Sequence, residues 1–322
     1  MDNREINEIL QMAKLSTPTN FGGNSTVTKI DNGMGSFVVK DYSERADGLN
    51  RQLTETSALI LLGKKLPSHV TKFHGTSEDG LRAVHSWVSG THPTLDTKTI
   101  SQMLDFLEKL KDVSAVSRLS ESGFAADNIV RGQSLELQIG ERLAKLRDSM
   151  MNSNSILTYL EIAYLKLRSE VKEDNSGAIR ILSPSDFGVH NLLVNSSTGA
   201  LVCIDLEFFG WDDAHKLVLD TLLHPAAIWK RAEAHYFLTG VAKAMNLSIP
   251  RLVNLWPLVC LKWATICLNR HVNRLRSKSS SDTTTALAMQ YINFSSVNAK
   301  SLRHMSRLVE RGIEYHFQHW SR

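Results

Sequence analysis

The sequence predicts an α+β protein in two unequal parts: a small antiparallel sheet with one inserted helix over residues 1–88, and a larger, mainly helical part over residues 89–322. Three observations point there. Between Phe21 and Val88, β-branched runs alternate with turn residues. From Thr97 to Lys172, and again after Asp213, apolar residues recur at helical spacing. One β-type island, Ile181 to Glu207, interrupts that helical pattern.

The elements follow in order. Ile6, Ile9, Leu10 and Ala13 share one face of a short amphipathic helix, closed by the polar run before Pro18. Thr26 to Ile30 and Ser36 to Tyr42 read as two strands joined by the turn Asp31-Asn32-Gly33-Met34-Gly35. A helix is predicted from about Asp47 to Leu62. Two further strands, Val70 to His74 and Leu81 to Val88, flank the turn Ser77 to Gly80. The boundary falls just after Val88, at Ser89-Gly90-Thr91-His92-Pro93, and a ligand cleft is expected between the two parts. Met103, Phe106, Leu107 and Leu110, then Ile139, Leu143 and Leu146, mark the helices beyond it. Pro225 and Pro250 mark stops in the C-terminal helical pattern, and Ser277 to Thr285 reads as a flexible loop.

Composition narrows the function classes. With 42% hydrophobic and 22% charged residues among 322, the chain is globular and long enough for a large core. Its 37 basic against 33 acidic residues give +4, too small an excess to announce nucleic-acid binding. The three cysteines, Cys203, Cys260 and Cys267, form neither a metal-binding pair nor a disulfide framework. The N-terminal MDNREINEIL is acidic where a signal peptide is basic, and the apolar stretch Leu252 to Leu268 contains Pro257 and Lys262. A cytoplasmic protein without a membrane span is expected.

The island carries the chemistry. Leu192 to Val194, a turn at Asn195 to Gly199, and Leu201 to Asp205 form a β-hairpin. Counting outward from Thr198 places Asn191 opposite or nearly opposite Asp205, with Cα atoms about 4.5 to 5.5 Å apart. An amide oxygen and a carboxylate there suit Mg²⁺, which keeps waters and phosphates as its other ligands. Asp186, five residues before Asn191 on a loop loosened by Gly188, is placed to receive a proton from an attacking hydroxyl. Taken alone, the D-x-x-x-x-N spacing equally describes ordinary turn chemistry.

The longer run Asp186-Phe187-Gly188-Val189-His190-Asn191-Leu192-Leu193-Val194, with Ile204-Asp205-Leu206-Glu207 and Gly210, closely resembles the catalytic core of the aminoglycoside phosphotransferase and choline kinase-like family. Upstream, Val38-Val39-Lys40 resembles the family's nucleotide-phosphate lysine and Glu55 its helix partner. Phe21-Gly22-Gly23-Asn24-Ser25 stands where the phosphate-covering loop lies, and Val84 to Gly90 resembles the hinge. The resemblance spans residues 20 to 225 and implies a two-lobed protein-kinase-like fold. It implies an Mg²⁺-dependent phosphotransferase moving the γ-phosphate of ATP or GTP to a small-molecule hydroxyl. Asp186 is then the catalytic residue and Asn191 and Asp205 are the metal ligands. Gly22, Gly23, Ser25, Lys40, Glu55, Ser86 and Val88 are then the nucleotide-binding residues. Such chemistry asks for positioning and charge neutralisation, which a lysine, a metal and a carboxylate supply. The alternative is a kinase-like nucleotide-binding or regulatory protein without turnover.

Two features depart from the pattern. Pro184 replaces the histidine usual two residues before the catalytic aspartate, and the glycine loop lacks three spaced glycines. Glu207 supports the metal from the same strand face as Asp205 or makes a plain salt bridge, whereas His190 reads as a packing or loop-bonding residue. Asp212, Asp213 and Asp220 read as helix caps or loop braces. From Val241 to Arg322 there are twelve basic and three acidic residues, an excess of nine. That surplus favours a neutral or anionic acceptor such as a sugar or sugar derivative over choline or an aminoglycoside.

Overall fold

Turn chemistry and capping place the first elements. In the computed structural model, which describes residues 1–18, 26–119, 121–131, 134–150, 155–170, 177–276, 283–297 and 300–311, Asp2 and Glu5 form a reciprocal capping box that starts α1 (Asn3–Leu15). Ile6, Ile9 and Leu10 on α1 then bury against Ile30, Phe37, Val39 and Val84 as a small core. The sheet behind it orders β1 (Thr26–Asn32), β2 (Gly35–Asp41), β4 (Arg82–Ser86) and β3 (Phe73–Thr76), antiparallel at each pairing. Lys40 lies opposite Val27 on one side and Ala83 on the other, so its place in the sheet is held by both neighbours.

The strand predicted at Val70 to His74 begins later, at Phe73. Val70 is taken by a parallel bridge to Cys203, and the Cys203 N–H donates to the His69 carbonyl at 2.7 Å. Helix α2 (Gly48–Lys65) connects β2 to this segment. Its inner residues Ala58, Leu59 and Leu62 join the large core of the helical part.

After β4, the Trp87 N–H still pairs with the Ser36 carbonyl before the chain crosses into β5 (Gly90–Thr91). β5 heads a second sheet with β7 (Leu192–Asn195) and β8 (Leu201–Cys203). A Cβ at Gly90 would stand 2.4 Å from the Val194 carbonyl oxygen, so the absence of a side chain lets the two strands meet. Helices α3 (Thr97–Val116), α4 (Leu135–Ser149) and α5 (Ser155–Glu170) follow, α3 and α4 opened by the side-chain caps Asp96 and Ser134. A third, two-stranded pairing joins β6 (Arg180–Ser183) to β9 (Gly210–Asp213).

The remainder is α6 (Ala214–Leu223), α7 (Arg231–Met245), α8 (Ile249–Arg276), α9 (Thr283–Ser296) and α10 (Leu302–Arg311). α6 stops before Pro225 as predicted, whereas Pro250 sits in the first turn of α8, where its missing N–H costs nothing. Within α8, Ile249–Val272 is long and apolar enough to cross a membrane, yet 72% of its most apolar window is buried inside the fold. Of the predicted loop at Ser277 to Thr285, residues 277–282 lie outside the described residues and Thr283 already begins α9.

Candidate active site

Strand β2 and helix α2 deliver the first cluster. The Lys40 ammonium donates to Glu55 Oε2 at 2.6 Å and to Asp205 Oδ1 at 2.8 Å, joining the sheet, α2 and the hairpin. Glu55 also accepts from the Tyr42 hydroxyl and, at 3.3 Å, from the Leu206 N–H. Burial opposes charge on both partners. Against it, Asp205 and Glu55 raise the Lys40 pKa well above its usual value, and Lys40 holds Glu55 well below the ordinary carboxylate range. Beside them, burial lowers His85 to about 4 and leaves it neutral at pH 7.

The hairpin places Asp205 nearly opposite Asn191, one residue past the exact mirror position. Leu192 faces Cys203, and the Ile204 N–H donates to the Asn191 carbonyl at 2.9 Å. Asp205 therefore follows the residue opposite Asn191, and its φ of 61° turns the chain out of the strand. That left-handed residue also ends the predicted continuation that would have put Glu207 on the same strand face. Glu207 is buried and pairs with Arg51 of α2 at 2.5 Å, the salt bridge of its two predicted alternatives. The Arg51 guanidinium lies over the Phe208 ring at 4.5 Å.

The loop bearing Asp186 is built tightly. The Asp186 N–H returns to the Pro184 carbonyl at 2.8 Å in a three-residue turn whose centre, Ser185, has φ 65°. Phe187 anchors the loop by stacking on Phe106 at 5.3 Å. Asn191 Nδ2 donates to the Asp186 carbonyl at 3.0 Å, which leaves Oδ1 as the amide end available to a cation. Asp186 Oδ2 accepts from His190 Nε2 at 3.2 Å, the loop-bonding role expected of that histidine, and His224 Nε2 lies 3.3 Å from Oδ1. Burial pushes the Asp186 carboxyl up, but the two imidazoles and the Asn191 contact outweigh it and hold it below the usual range.

At the crossing between the parts, Ser86 ends β4 with its hydroxyl bonded to His74 Nε2 at 2.8 Å. Val88 follows, and among the described residues neither its N–H nor its carbonyl has a hydrogen-bond partner. Gly22, Gly23 and Ser25 lie outside the described residues. The structure thus joins Lys40, Glu55 and Asp205 directly, ties Asn191 to the Asp186 loop, and sets Ser86 and Val88 on the connecting strand.

Behind the site, Asp213 caps α6 and binds Arg251, while Asp212, Lys216, Asp220 and Lys262 form a buried chain of ion pairs at 2.7, 3.2 and 2.5 Å. Asp212 and Asp213 also brace the neighbouring backbone, as predicted. Lys262 and Arg251 are therefore interior structural cations, which the sequence-based count of basic residues had placed with the acceptor-facing surplus. Arg51, Tyr42, His85 and His224 were not singled out from sequence. Only the His224-Pro225 pair carried a local signal, and that signal is a helix end.

No protein-family model matches the chain, and no curated protein matches it in sequence. Solved structures do. An ethanolamine kinase from Plasmodium vivax superposes with a TM-score of 0.63 at 13% identity, covering 87% of this chain and 81% of its own. The choline kinase LicA from Streptococcus pneumoniae gives 0.62 at 14% identity, over 91% and 98%. The GDP and kanamycin complex of APH(2")-IIia gives 0.62 at 12%, over 90% and 98%. The fold is the kinase-like fold of these proteins. At these identities the likeness concerns architecture, and the chemistry rests on the side chains described above.

Proposed function

We propose that this protein is a small-molecule kinase, transferring the γ-phosphoryl group of ATP or GTP to a hydroxyl acceptor. The observation that carries this reading is Lys40 held between Glu55 and Asp205, with Asp186 and Asn191 on the loop leading into the same hairpin. Phosphoryl transfer is mostly positioning and charge neutralisation, and this set provides both. Glu55 fixes Lys40 as an ammonium for the nucleotide phosphates. The unpaired Val88 backbone, next to Ser86, offers a donor and an acceptor to a base edge. Similar structures include one with GDP and one with AMP, which supports a nucleotide co-substrate.

The donor set also fits Mg²⁺. Asn191 Oδ1 has no donor among the described residues, and Asp205 keeps Oδ2 beyond the oxygen that Lys40 occupies, so two hard oxygen ligands stand one register step apart. When bound there, the ion supplies neutralisation of phosphate charge. Asp186 takes the acceptor hydroxyl proton as that oxygen bonds to the γ-phosphorus and the bond to the β-phosphate oxygen breaks.

The acceptor class follows from surface charge. Lys243, Arg303 and Arg307 remain exposed on α7 and α10 after Arg251 and Lys262 are set aside, which supports a neutral or anionic acceptor, a sugar or sugar derivative. The test is transfer from ATP and GTP, with and without Mg²⁺, across neutral sugars, sugar phosphates, choline and aminoglycosides at two salt concentrations. Transfer to a neutral or anionic sugar is the expected outcome. A clear preference for choline or an aminoglycoside overturns the acceptor class. Asp205→Ala binding Mg-nucleotide as the parent does overturns the metal assignment, and nucleotide binding without transfer to any compound favours the regulatory alternative.

A further inference from the structure

The Asp186 carboxylate meets the Nε2 edges of two histidines. His224, at the C-cap of α6, is buried, and its ring stacks on His190 with centroids 4.1 Å apart and planes 16° apart. The edge of Trp263, from α8, packs against His224 at 4.9 Å, and the Tyr291 hydroxyl of α9 donates to the carbonyl of Leu223 immediately before it. His224 is thus set in place by α6, α8 and α9. Gly188 makes room for the stacked pair: a Cβ there would meet the His190 ring at 2.6 Å and His224 Cγ at 3.4 Å.

Which nitrogen of His224 carries the proton follows from its other contact. The Ala226 N–H donates to His224 Nδ1 at 3.0 Å, so Nδ1 is the bare nitrogen of a neutral ring and Nε2 bears the hydrogen. Asp186, His190 and His224 have the spacing of a metal-binding trio, with donor atoms within 4.8 Å of one another. The tautomer argues against that use, because a metal needs the Nε2 lone pair and a neutral imidazole with a bare Nδ1 has none there.

Two oxygens of Asp186 then have different surroundings. Oδ2 is occupied by the His190 N–H, while Oδ1 is buried, has no well-aligned hydrogen-bond donor among the described residues, and faces His224 Nε2 at 3.3 Å. A buried carboxylate oxygen without a partner is costly unless a ligand completes it. We infer that His224 is a positioning residue that holds Asp186 with Oδ1 turned to the acceptor hydroxyl, the two histidines together orienting the loop in which Pro184 stands before the aspartate. This rests on the kinase reading, in which Asp186 takes the hydroxyl proton. It adds that Oδ1 is the receiving atom, and that helices α8 and α9 act on the chemistry through His224.

The test compares His224→Phe, which keeps a flat ring and loses the N–H, with His224→Gln, which restores a donor. Phosphate transfer from ATP or GTP is followed to the acceptor found by the screen or, lacking one, to water, alongside nucleotide affinity. His224→Phe is expected to lower kcat roughly tenfold to a hundredfold with nucleotide Kd within about twofold, and His224→Gln to regain most of the loss. A His224→Phe protein turning over at the parent rate overturns the inference, as does an equal loss in both variants. A second arm needs no turnover: ¹⁵N spectra of the histidine rings should show His224 protonated at Nε2, with that signal moving in Asp186→Ala. Protonation at Nδ1, or a His224 signal indifferent to Asp186→Ala, overturns it equally. If the parent transfers no phosphate at all, the kinase reading fails while the spectra still decide the positioning.

Discussion

The two ends of the candidate site surround their carboxylates by different means. At the Lys40 end, Glu55 and Asp205 are neutralised by a full positive charge at 2.6 and 2.8 Å. At the Asp186 end, among the described residues, no Lys or Arg reaches the carboxylate, and His190 and neutral His224 contact it. Burial lowers His224 to about 3, so at pH 7 it contributes an N–H dipole and no charge. The difference suits the two jobs. A charge pair fixes Glu55 and Lys40 as a unit, whereas the imidazoles leave Asp186 without a bound cation while still holding its carboxyl below the usual range.

The largest expected effect breaks the first arrangement. Lys40→Met leaves Glu55 buried without its cation, and stability should fall by about 3 to 5 kcal/mol in denaturant titration. Lys40→Met with Glu55→Leu should recover much of that loss, because both charges are then gone. A single variant as stable as the parent would show that Glu55 is not held by Lys40.

Asp186→Asn breaks the second arrangement and should leave the fold intact. Its kcat is expected to fall about a hundredfold or more with nucleotide affinity nearly unchanged, the scale of losing a general base. An Asp186→Asn enzyme at the parent rate removes Asp186 from the chemical step.

A pH titration of stability sharpens the contrast. His85 titrates at about 4 in the fold and near 6.5 when unfolded, so between those values the unfolded chain binds a proton that the folded one refuses. Stability should therefore fall as pH drops from about 6.5 toward 4, by roughly 2 to 3 kcal/mol from this residue. His224 loses stability in the same direction, its window extending to about 3. Glu55 behaves as a carboxylate with a lowered pKa, and its contribution is lost only below about 4.3, as pH falls toward its folded value. The melting temperature of His85→Phe, followed over the same range, should depend less steeply on pH than that of the parent, and an unchanged slope would remove His85 as a cause.

The smallest effect concerns the backbone. Ser185 at φ 65° is a side-chain-bearing residue in the left-handed region, so Ser185→Gly should raise stability by about 0.5 to 1 kcal/mol despite the greater entropy glycine loses on folding. A destabilised Ser185→Gly would mean that the hydroxyl contact with the Ala126 carbonyl, at 3.3 Å, matters more than the strain.

Much of the architecture was legible because its causes are local. The apolar face Ile6, Ile9 and Leu10, the turn at Asn32 to Gly35, and the 3.6-residue spacing of Met103, Phe106, Leu107 and Leu110 depend on neighbours a few residues away. The hairpin and its turn were read the same way. Its pairing lies one residue off the count from Thr198 because the turn is centred between Ser197 and Thr198, and the left-handed residue Asp205 separately ends the strand early.

Local sequence thus dictates the order of elements and the short run in which Asp186, Asn191 and Asp205 stand near a hairpin turn. Tertiary structure alone decided the partners. Lys40 and Asp205 are 165 residues apart, Arg51 and Glu207 are 156, and Asp186 meets His224 only because α6, α8 and α9 pack as they do. The same packing took Arg251 and Lys262 out of the apparent basic surface and buried them against Asp213 and Asp220. The physical reason is one of range: backbone propensity and periodicity act over a few residues of chain, whereas charge compensation in a low-dielectric interior depends only on distance in space.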